Sequence, residues 1–579
     1  MDKKKVKRQN ILELILLIMV VVLLNVVGSF LFHRFDLTQE KRYTLAQSTK
    51  NFLRNLHDII YVKVYLEGDD LPAGFRRLQK STKEILDEFR VYAKNNIEYE
   101  FINPGESSDI KTRREVYDQL AKEGLEYYNI GAQGKGGVSV RQVIFPGAIL
   151  TYRAHGQEFD RPVNLLLRSV SQQMDDQNVN HSIENLEYQL ISAMHQITRE
   201  KVPKVAMIEG HDELDKYESA SLTNEISKFY QVKRVEIKGQ IAALNEYSAI
   251  VIADPKSAFS EKDKFIIDQF IMKGGKVLWL VDAVKVNLND IAFKDETFGK
   301  INAQVRIGDM LFTYGARVNT NLVQDYNCVA IPVKTTGEND NQSKMVMAPF
   351  VFFPVISARA DNPITKNLNP IRFEFVSTVD TVGEDPEIKK RVLLTTSEHT
   401  RLVRQPFRIS TEIFAERPQP NRFPLANLPV AVLLEGKFTS HYKNRLPEEL
   451  TQNKLFKVLD KSIAPGKMIV IGDGEIGRNY VSHQGGQVRY SPLGYDRYNP
   501  NISFGNKDFL LNCINYLMDD EGVMGIRTRE VRLRLMDFAR LTEERTKWQI
   551  INLLGPVLVV LLGGGLYLFY RRRKYRKKI

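Results

Sequence analysis

Two cysteines in 579 residues leave no material for a disulfide framework. The fold must rest on ordinary apolar cores, with room for one bridge at most, between Cys328 and Cys513. The nine histidines show no H-x-x-x-H or H-E-x-x-H spacing, so the usual ligand set of a zinc hydrolase is missing. No G-x-x-x-x-G-K-[ST] occurs, which excludes ATP hydrolysis through a P-loop. No G-x-S-x-G supplies a nucleophile elbow, and neither cysteine has the small flanking residues of a sharp strand-to-helix turn. No residue set for catalysis is visible, and no cofactor or metal is expected.

A basic surface able to track phosphates is also missing. The net charge is +12, but residues 1–10 carry +4 of it and residues 571–579 carry +7. The rest of the chain is close to neutral. Such basicity suits membrane flanks facing anionic lipid, and nucleic acid is not an expected partner.

Long apolar runs are few, and they lie at the two ends. Residues 12–32 read LELILLIMVVVLLNVVGSFLF and residues 550–570 read IINLLGPVLVVLLGGGLYLFY. Each is long enough to cross a hydrocarbon core of roughly 30 Å as a helix. Basic residues beside a span stay in the cytoplasm, so the chain is expected in the inner membrane with both termini cytoplasmic and its bulk in the periplasm. The first run exceeds the apolar core of a signal peptide, and GSFLFH at 28–33 is a poor cleavage context, so it reads as an uncleaved anchor. In the second run Gly555, Gly563, Gly564 and Gly565 allow close backbone approach, which predicts packing against other membrane helices.

Between the anchors, about 500 residues predict two or three domains. Residues 37–56 turn from polar to amphipathic, with Thr44 or Ser48 as an N-cap. Residues 59–66 (IIYVKVYL) alternate as a strand, 75–94 carry a helical apolar face, and 97–102 (IEYEFI) form a second strand. That is a βαβ unit with a parallel strand pair. GAQGKGG at 131–137 reads as a loop, and 182–199 as an amphipathic helix closing the domain. Further on, KVAMI (204–208), AIVIA (249–253) and KVLWLV (276–281) are short, wholly apolar strands alternating with helices at 217–229 and 260–272. They predict a doubly wound parallel sheet. Scattered short strands from 286 to 462 read as a large insertion, after which KMIVI (467–471) completes the sheet and 508–518 closes it as a helix.

GDGEIG at 472–477 is a literal G-x-G-x-x-G after a strand, but no helix follows to hold a pyrophosphate, and its acids would repel one. It reads as a strand-end turn. Glu209-Gly210-His211-Asp212-Glu213 sits where α/β proteins place ligands, and reads as a Gly turn with Asp212 capping the next helix. Residues 436–445 mix aromatic and basic side chains in a loop expected to be exposed. If a ligand is bound, the expected cleft is formed by the strand ends near His211, Asp254 and Asp282.

The runs KRYTLAQSTKNFLRNL, IENLEYQLISAMHQIT, VAMIEGHDEL, IADPKSAFSEKDKFIIDQFIMKGGKVLWLVD and DFLLNCINYLMDDEGVMGIRTREVRLRLMD resemble the gliding-motility ABC-transporter auxiliary proteins of the GldG type, over essentially the whole chain. The resemblance implies a substrate-binding or auxiliary component working with a separate ABC permease and cytoplasmic ATPase. It also implies a glutamine-amidotransferase-like α/β fold for the middle domain, whose catalytic Cys and His have no match here. The expected organisation is a basic tail (1–10), a membrane helix (11–33), an N-terminal α/β domain (34–200) and an amidotransferase-like domain (201–525) with its insertion at 286–462. A juxtamembrane helix (526–548), a second membrane helix (549–570) and a basic tail (571–579) follow. The expected function is a non-catalytic, doubly anchored extracytoplasmic transporter subunit. The alternative is a glycan- or peptide-binding protein acting without a transporter.

Overall fold

A computed structural model describes residues 11–12, 14–23, 44–68, 71–133, 139–154, 156–167, 176–287, 296–336, 343–359, 361–415, 417–445, 458–484, 486–500, 502–528 and 538–576. The N-terminal basic tail, residues 24–43 of the expected first span and polar stretch, and the tip of the glycine loop lie outside them. The chain forms two units, Met1–Glu530 and Val531–Ile579.

The first unit opens with the expected βαβ motif. Strand β1 (Ile60–Val64) and strand β2 (Ile97–Phe101) pair in parallel, with Val62 opposite Tyr99. A short helix α1 (Gln47–Arg54) precedes them, and helix α2 (Ala73–Tyr92) joins them, burying Phe75, Leu78, Leu86 and Phe89. The free edge of β1 takes β3 (Gly147–Ala154) antiparallel, and β4 (Gln157–Asn164) follows as a hairpin. The N-cap of α1 is Ala46 rather than Thr44 or Ser48. A distant acceptor replaces the local cap: Glu187 Oε1, on helix α3 (Asp176–Ile197), accepts from Ala46 N–H and from Thr49 Oγ1, both at 2.7 Å. The loop expected at 131–137 begins inside a strand, Tyr128–Gln133, paired with Ser139–Ile144.

The second sheet has seven strands. In chain order they are β5 (Lys204–Glu209), β6 (Gln231–Glu236), β7 (Ala249–Ala253), β8 (Lys276–Leu280), β9 (Ile388–Thr395), β10 (Pro429–Gly436) and β11 (Gly466–Ile471). Their spatial order is β9-β10-β11-β8-β7-β5-β6. The five strands from β11 to β6 run parallel. Their apolar runs are continuous because both faces are covered. Ala249, Val251, Leu278 and Leu280 pack with Leu222 and Ile226 of helix α4 (Ala220–Ser227) and with Phe509 and Cys513 of a later helix, Asn506–Leu517. Ile250, Ile252, Val277 and Trp279 face Ile267 and Ile271 of helix α5 (Glu261–Met272) and Met310 and Tyr314 of helix α6 (Gly308–Tyr314). The helix Asn506–Leu517 is α7.

The stretch expected as an insertion is more closely joined to this sheet than its sequence implies. It supplies β9 and β10, which extend the sheet antiparallel beyond β11 and make it mixed. The remainder of the stretch builds its own core around Phe350, Phe352, Phe353, Phe375 and Phe407.

In the second unit, helix α8 (Phe538–Arg576) is continuous over 39 residues. Its segment Glu544–Arg573 is long and apolar enough to cross a membrane. At the other end, the described apolar helix is Leu14–Leu23, shorter than the ~20 residues a span needs.

Candidate functional site

Three neighbouring parallel strands each end in an aspartate: Asp254 after β7, Asp282 after β8 and Asp473 after β11. All three are withdrawn from solvent, with Asp254 and Asp473 at 0% exposure and Asp282 at 5%. Burying carboxylates is costly unless they are paired. The pairing comes largely from Lys285, whose Nζ contacts Asp254 and lies 2.8 Å from Asp282 Oδ2. Lys256 Nζ stands 3.1 Å from the other Asp254 oxygen. The Gly474 N–H donates to Asp282 Oδ1 at 2.5 Å.

These contacts explain the glycines of GDGEIG. A Cβ on Gly474 would lie 2.6 Å from Asp254 Oδ1, and one on Gly472 would lie 2.2 Å from the Ser377 carbonyl oxygen. Glycine serves here to admit a carboxylate and a neighbouring chain. Glu475–Gly477 makes a single 3-10 turn, not a helix that would receive phosphate.

Segment 372–377 closes over the strand ends. Glu374 N–H donates to Asp473 Oδ2 at 2.8 Å, and Ser377 N–H donates to the Gly472 carbonyl at 2.7 Å. The Glu374 carboxylate takes Arg372 at 2.9 Å, Arg478 at 3.3 Å and the Tyr480 hydroxyl at 2.9 Å. Arg478 also pairs with Glu475 at 2.5 Å. The result is one charged network running from the sheet into its cover.

Its titration is displaced accordingly. Burial raises Asp282 well above the usual carboxylate range, and the nearby Asp473 and Glu475 charges raise it further. Burial pushes Asp473 up to about 8, opposed by the Glu374 N–H donation. Burial pulls Lys285 down to about 8, against the attraction of Glu475 and Asp473. For Glu374 burial also favours the neutral acid, but Arg372 and Arg478 outweigh it and hold the group below its ordinary value. Such a cluster exchanges protons near neutral pH.

His211 belongs to a different constellation. Its ring stacks on Phe259 with centroids 3.7 Å apart, Nδ1 lies 3.1 Å from Glu213 Oε1, and Nε2 lies 3.4 Å from Asp263 Oδ2. Burial opposes the imidazolium, yet the two carboxylates prevail and raise the pKa. The His211 carbonyl accepts from Lys256 and Ser257 N–H, so it shares a loop with Asp254 through backbone alone. The structure thus brings Asp254 and Asp282 together on Lys285 and gives the His211 ring separate partners. Asp212 does not cap the next helix. It adopts φ +56° and takes the Ser257 hydroxyl, whereas Asp215 Oδ1 accepts from Tyr217 and Glu218 N–H at 2.7 Å each. Among the described residues no group of three His, Cys, Asp or Glu side chains is arranged to hold a metal ion.

The loop expected to be exposed at 436–445 is instead anchored. Phe438 and Tyr442 are buried, while Ser440 Oγ and His441 N–H donate to Asp268 on α5 at 2.7 and 2.8 Å. A Cβ at Gly555, Gly563, Gly564 or Gly565 would meet nothing within 4 Å.

Residues 202–513 match the family described as an ABC-type uncharacterized transport system. Residues 39–151 match a domain of unknown function, DUF7088. A protein of Borreliella burgdorferi, described only as uncharacterized, is 22% identical over 583 residues, covering 98% of this chain and 99% of its own length. Among solved structures, the mmIFT52 N-terminal domain aligns at a TM-score of 0.31 and 12% identity, over 55% of this chain and 97% of its own. A ThuA-like protein from Parabacteroides merdae aligns at 0.26 and 11%, over 55% and 91%.

Proposed function

Because this chain belongs to the ABC-type uncharacterized transport system family, we propose that it is a non-catalytic, membrane-anchored extracytoplasmic subunit of an ABC transporter. Its partners are a separate permease and a cytoplasmic ATPase. The family match across 202–513 carries this reading. Three features support it. Segment Glu544–Arg573 has the length and apolarity of a span, and the apolar run at 12–32 offers a second anchor. Basic residues flank both runs on their outer sides, which favours cytoplasmic termini and a periplasmic body. The strand-end carboxylates are buried and tied to Lys285, an arrangement suited to holding two parts of the fold together. The resemblance to proteins of the GldG type supports gliding motility as the setting.

Purification of the full-length protein in mild detergent from its native membrane tests the reading. An ABC permease and ATPase are expected to come with it in constant ratio. Recovery of intact, folded protein alone would reject the subunit reading in favour of an independent binding protein.

The glycines of α8 give a sharper form of the test. Leucine at 563, 564 and 565 keeps the helix apolar but blocks close approach. The triple variant is expected to retain roughly a tenth or less of the co-purifying permease, a change worth about 1.4 kcal/mol. Undiminished recovery would remove these glycines from the interface.

A further inference from the structure

The first unit contains two sheets, and the core of the larger is not shared with the smaller. The two apolar clusters that sandwich the seven-stranded sheet draw on no residue before Val205. Where the N-terminal region, from α1 to α3, meets the sheet region, the contacts are thin. Arg161 on β4 donates to the Lys228 carbonyl and lies over the Phe229 ring at 4.3 Å, and Asn367 Nδ2 donates to Glu184 Oε2 at 3.5 Å. Beside them an open cleft of about 430 Å³ separates β4 and α3 from α4 and α7.

One short segment fills the rest of the junction. After α7 the chain makes a turn, Val523–Thr528, that packs on both α1 and α3. Among the described residues, no other helix or strand beyond residue 200 packs as extensively on the N-terminal region. Asp519 shapes the turn by accepting from Val523 and Met524 N–H at 2.9 and 2.8 Å. Val523, Met524, Ile526 and Arg527 are all buried. From α3, the Tyr188 hydroxyl lies 2.8 Å from Met524 Sδ, and His195 Nε2 lies 2.6 Å from Glu521 Oε2. On the sheet side, Arg527 donates to Asn512 Oδ1 at 2.7 Å and to the Lys366 carbonyl at 2.6 Å. Both regions hold the same few residues.

That hold carries a cost. Arg527 is withdrawn from water against carbonyl acceptors and the Tyr188 ring, 5.2 Å away, and bridges to no described acid. Burial pulls its pKa below the ordinary value, against Tyr188 and Asp508. A cation buried without an anion recovers little of its desolvation, which offsets part of the gain from Val523, Met524 and Ile526. Withdrawing the turn returns the guanidinium to water. Regions joined through so little apolar surface are free to move once that contact is lost.

We propose that residues 519–528 form a releasable clasp, which fixes the N-terminal region on the sheet region and, when withdrawn, lets the cleft between them open. In sequence, residues 529–537 alone separate the clasp from α8. The clasp rests on contacts within the first unit and does not depend on the transporter reading.

Hydroxyl-radical footprinting of the full-length protein in detergent tests it. Met524 and Tyr188 report the clasp, and Phe229, covered by Arg161, reports the far side of the junction. Arg527→Ala is expected to raise oxidation of Met524 and Tyr188 about five-fold or more, and that of Phe229 about two-fold. Trp279 and Met272, at 0% exposure in the sheet core, are expected to stay protected. Arg527→Lys shortens the reach to Asn512 and Lys366 and is expected to act in the same direction, which covers the case in which alanine unfolds the chain. The proposal is overturned if a folded variant leaves Met524 and Tyr188 as protected as in the wild type. Exposure of these two without Phe229 would also overturn it, since only the turn would have frayed. So would oxidation of Trp279 along with the other three in both variants, because the junction would then open only with the core.

Discussion

Replacing Lys285 with methionine is expected to cost about 3–5 kcal/mol of folding stability at pH 7, where Lys285 is charged, because it removes the cation that Asp254 and Asp282 share. Methionine keeps the apolar stem, so the loss reports the ammonium rather than packing. Lys285 is the one side chain that contacts both Asp254 and Asp282 among the described residues. The acids have an escape at lower pH, where they can take up protons instead of remaining as unpaired anions. The loss should therefore shrink at pH 5. Thermal unfolding of wild type and variant at the two pH values measures it. A loss below about 1 kcal/mol at pH 7, the range of an exposed ion pair, would show that Lys285 does not neutralise the cluster.

Asp473→Asn is expected to act in the opposite direction, stabilising the protein at pH 8 by an amount on the order of a few kcal/mol. The sign follows from where the proton is held. Burial raises the folded-state pKa of Asp473 to about 8 from an ordinary 3.8, so between those values the folded chain keeps a proton that the unfolded chain has released. This contribution to stability is fully present below pH 4 and is lost as pH rises towards 8. Asparagine mimics the neutral acid, and its Oδ1 can still accept from Glu374 N–H. Asp282 and His211, both raised, also lower wild-type stability as pH rises, whereas Lys285, depressed to about 8, has its window above that value. The difference between variant and wild type reports Asp473 together with its effect on the neighbouring Asp282 and Lys285. It should grow steadily from pH 5 to pH 8. A difference that stays flat, or an asparagine variant less stable at pH 8, would refute the burial of a protonated acid at this position.

The parallel core was legible because complete burial leaves a plain mark. KVAMI, AIVIA, KVLWLV and KMIVI are short runs with no polar interruption, and all four are central strands. PVAVLLEG carries the same mark as β10 but lay within the stretch read as an insertion. An apolar run declares burial without declaring its direction or neighbour, so its antiparallel place beside β11 could not be read. Caps were misplaced for a related reason. Thr44 and Asp212 are good capping residues, but tertiary contacts supplied Glu187 and a left-handed turn in their stead. The candidate site was half visible. Asp254 and Asp282 stood out at strand ends, while Asp473 was set aside with a failed nucleotide motif. The repeated pattern of a buried strand followed by aspartate was the available signal. Lys285, Glu374 and Arg478 carried no local signal, since only the closed fold makes them neighbours.

The placement of β11 also governs the order of assembly. Its parallel partner is β8, and Val277 meets Met468 only after the whole intervening stretch has been synthesised. Until then one edge of β8 stands open, with an apolar strand exposing unpaired backbone groups. Closing so long a loop is slow, and such edges are where chains stick to one another. A chain ending just before residue 466 would hold six of the seven strands of the sheet, but without β11 to join β8 to β10 it would carry a bare central edge. Aggregation, rather than a smaller working protein, is the natural fate of such a fragment.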